Sequence, residues 1–451
     1  METSTSSTQA HVFAHCSVFR TGTRGGACPM VVVSARGTVF FSPATRHAMM
    51  GCDVARSRDG GLSFQKIATP RDPQYVPEGY RPPRIASLSP AAFRRLSAEL
   101  APGVTLHPGL WLDDVTSRIF VTTTVKGHES DGSGSVVAFS DDDGDSWQAS
   151  RTGEGSWDWG KLLIGPPATE SSRRALAASG YPNVLYFTAT GPTLISGPNQ
   201  INYKSLDGGA SWTRLADVFD RDKRGATGFP QRGVVTPDGA IYRAWAGTGA
   251  EYLPTADKSN MPVHIVSSFD EGESWQHREL GGTRTTLLGA QLASDKEGTL
   301  YLAWSDSRDG QIRLAMSRDR AETWSAPCVI RVPGVAWTSK PTPAVRAPGE
   351  IALAFWGSDK AEATGDGWLN KDGRPYDGYL SVCRDLRAAE PRFVSARARY
   401  GDAALLPDGE SAMSSGEYIG APSFAPDGSV WAGFLSETEG GIAARLKPLG
   451  G

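Results

Sequence analysis

Tyr418, Glu417 and Asp306 are the residues of this sequence best suited to handling protons. A phenol can serve as nucleophile or proton donor, and a carboxyl as general acid or base. Neighbours on a strand point to opposite faces, so Glu417 is poorly placed to activate Tyr418. Asp306-Ser307-Arg308 follows Trp304 at a strand end, where alternate residues share a face and the carboxylate can pair with the guanidinium. A purely structural ion pair is the plainer alternative there, and a core tyrosine the plainer one for Tyr418. Around these stand candidate ligand-binding side chains: Arg24, His107, Lys161, Arg232, Trp245, Arg284 and Arg308. Cations beside aromatic walls suit a carboxylate, a phosphate, or a polyhydroxylated or aromatic ligand. Taken singly, each also reads as a solvated charge or a local salt bridge. The histidines lack metal-ligand spacing, since His11 and His15 fall on a strand, and no P-loop, dinucleotide fingerprint, GxSxG or HExxH occurs. No metal and no cofactor is expected.

Two repeats define the elements that must hold these residues. The first is an octapeptide, Ser-x-Asp-x-Gly-x-x-aromatic, at residues 57–64, 140–147, 205–212 and 268–275, with a fifth copy at 317–324 in which Ala321 replaces Gly. It reads as a hairpin tip. The Ser hydroxyl and Asp carboxylate bond turn N–H groups, Gly takes a positive φ, and the ring folds back onto the sheet. The five Asp residues are therefore turn builders rather than catalysts. The second repeat is a short hairpin followed by a strand, seen seven times, as in Pro237-Asp238-Gly239-Ala240-Ile241-Tyr242 and Pro426-Asp427-Gly428-Ser429-Val430-Trp431. Together they give a four-stranded meander with the octapeptide between strands three and four.

Repeated meanders of this kind predict an all-β fold, a seven-bladed β-propeller of four-stranded antiparallel sheets. Six blades is the alternative if the unit around Tyr379 to Phe393 is only an elaboration. The last unit lacks an outer strand, and His11 to Arg20 is expected to supply it and close the ring, removing open edges. The organisation expected is a disordered N-terminus over 1–10 and a single propeller domain over 11–451. Small helices are expected after Ser89 and over Glu170 to Ala178, both between units, capping the ligand-entry face. Connections from strand four to strand one, and from strand two to strand three, converge on one end of the channel. The first kind carries Arg24, His107, Asp158, Lys161, Arg232, Arg284, Glu417 and Tyr418. The second carries Arg46, His47, Arg243, Trp245, Asp306, Arg308, Trp368, Arg374, Tyr376 and Glu437.

Composition narrows the class further. Lys+Arg 46 against Asp+Glu 49 gives a formal net charge of -3, which argues against a nucleic-acid partner. No apolar run reaches the roughly 18 residues of a membrane span, and Met1 to Ala10 lacks the pattern of a secretory signal, so a cytoplasmic, non-membrane protein is expected. Five scattered cysteines without a CxxC pair read as reduced, buried thiols. A monomer binding a small molecule or glycan fits this balance.

The octapeptides match the Asp-box (BNR) repeat, and from about residue 29 onward the chain resembles the sialidase-like β-propeller superfamily. Stretches such as Leu110-Trp111-Leu112-Asp113, Gly180-Tyr181-Pro182-Asn183 and Glu417-Tyr418-Ile419-Gly420 are similar to bacterial exo-α-sialidase-like proteins. The resemblance implies a hydrolase of glycoside-hydrolase type, with arginines gripping a substrate carboxylate, a Tyr/Glu nucleophile pair and an Asp acid/base. Arg232 and Arg284 beside Tyr418 are the positions that fit such a clamp. The chain departs from true sialidases in two ways. Its nearest Tyr-Arg-Ile-Pro-like string, residues 80–85, follows the first octapeptide instead of preceding it, and the blade count is seven rather than six. The alternatives are a non-catalytic propeller binding a protein or glycan, and a non-glycan enzyme such as an aromatic-alkylating or cyclising biosynthetic propeller.

Overall fold

The computed structural model describes residues 11–23, 28–43, 54–67, 104–126, 134–154, 158–190, 200–218, 232–247, 260–286, 289–362, 373–407 and 419–447. Its strands are numbered in chain order. β1 (His11–Phe13) and β2 (Ser17–Arg20) precede seven successive units. The first unit is β3 (Met30–Val33), β4 (Val39–Ser42), β5 (Val54–Ser57) and β6 (Gln65–Ile67); the second is β7 (Val104–Leu112), β8 (Ile119–Lys126), β9 (Gly134–Ser140) and β10 (Gln148–Glu154). The third is β11 (Asp158–Gly165), β12 (Val184–Thr190), β13 (Gln200–Ser205) and β14 (Thr213–Arg214), and the fourth β15 (Gly233–Val235), β16 (Ile241–Ala246), β17 (Met261–Ser268) and β18 (Gln276–Thr285). Next come β19 (Ala290–Ser294), β20 (Leu300–Ser305), β21 (Ile312–Ser317) and β22 (Cys328–Ile330), then β23 (Trp337–Ala347), β24 (Glu350–Ser358), β25 (Asp377–Cys383) and β26 (Phe393–Ala398). The seventh has β27 (Ser423–Phe424), β28 (Val430–Ser436) and β29 (Gly440–Leu446).

Each unit is an antiparallel meander, and the seven sheets form a seven-bladed β-propeller. The unit around Tyr379 to Phe393, the weakest in sequence, is a complete sheet. The N-terminal segment departs from expectation by splitting. β2 pairs antiparallel with β29 as the fourth strand of the seventh sheet, while β1 adds parallel to β26 as a fifth strand of the sixth. Closure thus joins the two ends of the chain in one sheet. Every residue of β16 and of β20 is buried, because each sheet is covered on both faces by its neighbours. Trp356, Trp431, Tyr186 and Tyr301 fill these interfaces.

The octapeptide turns are built alike. In the first, the Ser57 hydroxyl donates to Asp59 (2.7 Å) and accepts from Gly61 N–H (2.9 Å), and Asp59 accepts from Ser63 N–H (2.9 Å). The same bonds recur around Asp142, Asp207, Asp270 and Asp319. Hydrogen bonds from Ser63 and Ser57 bring the Asp59 carboxyl down to about 2, as those from Ser146 and Ser140 do for Asp142. Gly61 sits at φ +96°, and Ala321 takes the equivalent left-handed position at φ 65° in the fifth copy.

One helix, α1 (Glu170–Ser179), is described. Thr169 caps it by accepting from Ser172 N–H, Gly180 closes it at φ 76°, and Leu176 faces the core. It corrects the expected position. α1 lies inside the third unit, between β11 and β12, and so on the octapeptide side rather than over the ligand-entry face. The β11–β12 connection sets its side, and buried Glu271, from the fourth sheet's octapeptide turn, anchors it there, accepting from Ala168 N–H and Thr169 N–H (both 2.9 Å) and from Lys204 Nζ (3.1 Å). The helix expected after Ser89, and residues 1–10, lie outside the described residues.

Candidate functional site: the axial channel

The innermost strands, β3, β7, β11, β15, β19, β23 and β27, ring an axial channel of about 690 Å³. Its walls are mostly small and apolar, and the chemistry is concentrated at a few side chains. Arg232, just before β15, lies with its guanidinium 5.4 Å from the centre of the Trp111 indole. It lines the cavity, and its charge acts on Asp114 across it. Asp114, in the turn between β7 and β8, lines the same cavity. It is accessible to solvent yet hemmed in by protein, and the enclosure decides its chemistry: burial first, and the charge of Asp113 second, push its carboxyl above the ordinary range, with Arg232 opposing.

Asp113 holds that turn in place. It is buried and accepts from Asn183 Nδ2 (2.9 Å), Val115 N–H (2.9 Å) and the Tyr181 hydroxyl. Burial, then the Asp113 charge and hydrogen bond, raise the Tyr181 phenol, keeping it a donor. The Leu-Trp-Leu-Asp and Gly-Tyr-Pro-Asn stretches therefore meet in space, tying the second sheet to the third. Trp111 and Asp114 were not among the sequence candidates. The Asp113-Asp114 doublet was a signal, but it falls in a connection from a first strand to a second, at the other end of the sheet from the connections expected to carry the site. The lumen beside Arg232 extends to the turns that follow the first strands, where Ser34, Asp114, Ser117 and Arg346 line it, on the octapeptide side.

Further along the axis the interface between the third and fourth sheets turns polar. Lys161, Thr188 and Asn202 stand in register across β11, β12 and β13 and so share a face. Arg243 reaches over from β16, donating to Asn202 Oδ1 (3.3 Å) and to the Thr188 hydroxyl, while Thr188 donates to Asn202 (2.7 Å). Its guanidinium also lies 5.2 Å from the Trp275 ring, and burial brings it down to about 9, still protonated at neutral pH. Gly233 is required here. A methyl group at that position would come within 2.7 Å of the Arg243 chain and 2.6 Å of Leu163. Lys161 and Arg243 are 2% and 3% exposed, an unusual depth for cations. Trp245 is buried beside them with its ring 4.6 Å from His264.

Arg284, Asp306 and Arg308 are brought together where β18 ends and the β20–β21 turn begins: Ser307 N–H donates to Arg284 O (3.2 Å) and Arg308 to Gly282 O (3.2 Å). Asp306 is fully buried and accepts from Arg308 Nε (2.8 Å), Arg308 Nη2 (2.5 Å) and Arg308 N–H (3.0 Å). Burial disfavours its charge, but these bonds and the charges of Arg308 and Arg313 prevail and hold the carboxyl below its ordinary range. In this geometry Asp306 is a carboxylate engaged by its own turn. Arg374 stacks 4.0 Å from the Trp337 ring and donates to Ala361 O, and Tyr376 is buried with its backbone paired to Leu406. A carboxylate outside the sequence candidates, Asp377, gathers Arg397 and Arg399 at the same end of the sixth sheet.

Tyr418, Glu417 and Arg24 lie outside the described residues, as do Arg46, His47 and Trp368. His107 and Asp158 are placed on β7 and β11 by their backbone, and their side chains are not described. Among the described residues no three His, Cys, Asp or Glu side chains converge as a metal site, and no helix is long and apolar enough to cross a membrane.

Over 129 residues the sequence is 29% identical to a sialidase of Bacteroides fragilis (strain YCH46), a stretch covering 27% of this chain and 22% of the other. The likeness thus spans about a fifth of the length of that curated relative. No protein-family model matches the chain. Solved structures of similar course include the Hadza microbial sialidase Hz136, with 16% identity, TM-score 0.45, and coverage of 94% of this chain and 66% of that one. Another is an α-L-arabinofuranosidase of Fusarium graminearum, with 12% identity, TM-score 0.46, and coverage of 82% and 98% respectively. A protein of unknown function from Dyadobacter fermentans matches over 98% of both chains at 11% identity and TM-score 0.45.

Proposed function

We propose that this chain binds an anionic or polyhydroxylated ligand of the carbohydrate class in its axial channel and acts on it by glycoside-hydrolase-type chemistry. The observation that carries the reading is Arg232: a guanidinium braced on an indole face, close enough to act on the charge of Asp114, in the lining of a cavity of about 690 Å³. The partial similarity to a sialidase supports the same class. Arg232 supplies positive charge for a carboxylate and Trp111 a ring face in the lumen, while Lys161, Arg284, Arg308 and Trp245, candidates from the sequence, lie outside the described lining. Arg24 and His107 complete the proposed binding set. Glycoside cleavage needs a proton donor and a nucleophile or base. Tyr418, Glu417 and Asp306 are the candidates carried from the sequence, and Asp114 joins them as a carboxyl with a raised pKa facing the lumen.

A second reading, a propeller that binds such a ligand without turning it over, draws support from Asp306, whose carboxylate is engaged by Arg308. One experiment separates them. Purified chain is screened for turnover of a fluorogenic sialoside and a panel of neutral and acidic glycosides, alongside tryptophan-fluorescence binding of the same sugars. Arg232→Met should weaken acidic-ligand binding about 10- to 100-fold, the loss expected for hydrogen bonds to a charged group. Tyr418→Phe should abolish turnover while binding persists. Binding indifferent to Arg232→Met refutes the channel as the site, and binding without turnover of any substrate favours the second reading.

A further inference from the structure

One contact in the channel joins sheets that are not neighbours. Arg232 belongs to the fourth sheet and Trp111 to the second, with the third standing between them in the ring. The guanidinium lies 5.4 Å from the indole centre, so the arginine side chain passes across the lumen, which Leu162, Leu163 and Ile164 of the third sheet also line. Among the described lining residues Asp114 is the one acid, against two cations, Arg232 and Arg346. Arg346 is paired with Glu350 (2.5 Å), whereas the charge of Arg232 acts on Asp114.

The turn that carries Asp114 is fixed. Asp113 N–H donates to Arg118 O (2.9 Å) and Ser117 N–H to Asp113 O (2.7 Å), while the Asp113 carboxylate takes Val115 N–H and Asn183 Nδ2 (both 2.9 Å). Ser117, which also lines the lumen, is held at φ 61°, a left-handed conformation that costs a serine energy and that clusters at functional sites. Enclosure by protein and the buried Asp113 charge disfavour the ionised form of Asp114, and the Arg232 charge favours it. The first two prevail, so Asp114 takes up a proton in a less acidic range than an ordinary aspartate.

We propose that Asp114 sets the specificity of the lumen: ionised, it repels the acidic ligand that Arg232 attracts, and protonated, it donates a hydrogen bond to that ligand. This role rests on the channel reading above, and adds to it the residue that sorts acidic from neutral sugars. An anionic group on Arg232 sits where Arg232 already couples to Asp114, so the ligand and an ionised Asp114 are like charges in one confined space. A neutral sugar brings hydroxyls, and a carboxylate accepts from these at least as well as a carboxylic acid does. Acidic sugars therefore bind more weakly as pH rises through the Asp114 value, and neutral sugars do not.

Calorimetric titration of the full chain between about pH 4.5 and about pH 9 tests this. The acidic probes are glucuronate, galacturonate and N-acetylneuraminate, ionised throughout, and the neutral ones glucose and galactose. Affinity for an acidic probe should fall about 3- to 30-fold across the range, as for like charges a small ligand's width apart, while neutral sugars change less than about twofold. Asp114→Asn should flatten the acidic profile at its low-pH affinity without lowering the melting temperature, since the charge it removes is one that enclosure disfavours. Asp114→Glu, which returns a carboxyl, should return the slope. Acid binding that is weakened by Arg232→Met, yet is independent of pH or keeps its slope in Asp114→Asn, overturns this role and leaves the channel reading standing. Acid binding indifferent to Arg232→Met, or no binding of any probe, overturns both.

Discussion

Glu271 offers a direct test of how the fourth sheet fixes the helix of the third. Its carboxylate, fully buried, serves Ala168 N–H, Thr169 N–H, the Thr169 hydroxyl (3.1 Å), the Ser172 hydroxyl (2.5 Å) and Lys204. Glu271→Gln keeps one acceptor oxygen but turns an amide donor toward groups that are themselves donors, and it removes the partner of Lys204. Hydrogen bonds to a charged group are worth about 1.5–3 kcal/mol, and breaking a buried pair about 3–5 kcal/mol. Lys204 is 15% exposed and retains some hydration, which places the Gln variant at the low end, about 2–3 kcal/mol, and the Ala variant nearer 4. Urea unfolding followed by tryptophan fluorescence measures both. A double-mutant cycle with Lys204→Met should return about 1–2 kcal/mol of coupling, since the two groups touch. The pH dependence has a definite sign. Burial alone would raise the Glu271 carboxyl, but the bonds from Ser172, Thr169 and Lys204 outweigh it and the folded value lies below the ordinary one. Its stabilisation is therefore full above about pH 4.3, the unfolded value, and fades as pH falls through the lower folded value. A Gln variant within about 0.5 kcal/mol of the parent at pH 7, or a difference that grows on acidification, would refute this account.

Three further outcomes are expected. Ala321→Gly should change stability by less than about 1 kcal/mol, because relief of the left-handed backbone opposes loss of a buried methyl, whereas Ala321→Val should cost about 2 kcal/mol or more; urea titration of both decides it. Asp113→Asn removes the negative charge beside Asp114, so the Asp114 carboxyl should titrate at lower pH than in the parent, read by carboxyl NMR; an unchanged or higher value would contradict the assignment. Cys16 and Cys383 are buried, and burial pushes both thiols up to about 11, so at pH 8 neither should be labelled by a thiol reagent until the chain is unfolded, as peptide mass mapping would show.

The architecture was legible because its signals are local. Serine, aspartate, glycine and an aromatic ring at fixed spacing satisfy a turn with their own hydrogen bonds, whatever the rest of the chain does. Seven hairpins with intervening apolar runs then set the number of sheets. Less was legible where a residue's role depends on a partner distant in the chain. Glu273 and Glu322 occupy octapeptide turns much as Glu271 does, yet both are exposed. Glu271 matters because it meets the start of a helix about a hundred residues earlier in the chain, and that contact anchors α1 on the side where the β11–β12 connection places it.

The channel shows the same division. Sequence order put Arg232 beside an innermost strand and so near the axis. It said nothing of Trp111, whose indole supports the guanidinium, nor of Asp114, which faces the same lumen. Asp306 and Arg308, two apart, were readable as a pair, since alternate residues of an extended segment share a face. The repeating turn, the sheet count and the pairing of near neighbours follow from residue order alone, because those energies are settled within a few residues. Which charges are committed to a partner and which line the lumen follow only from the folded chain, because they depend on groups that are far apart until folding brings them together.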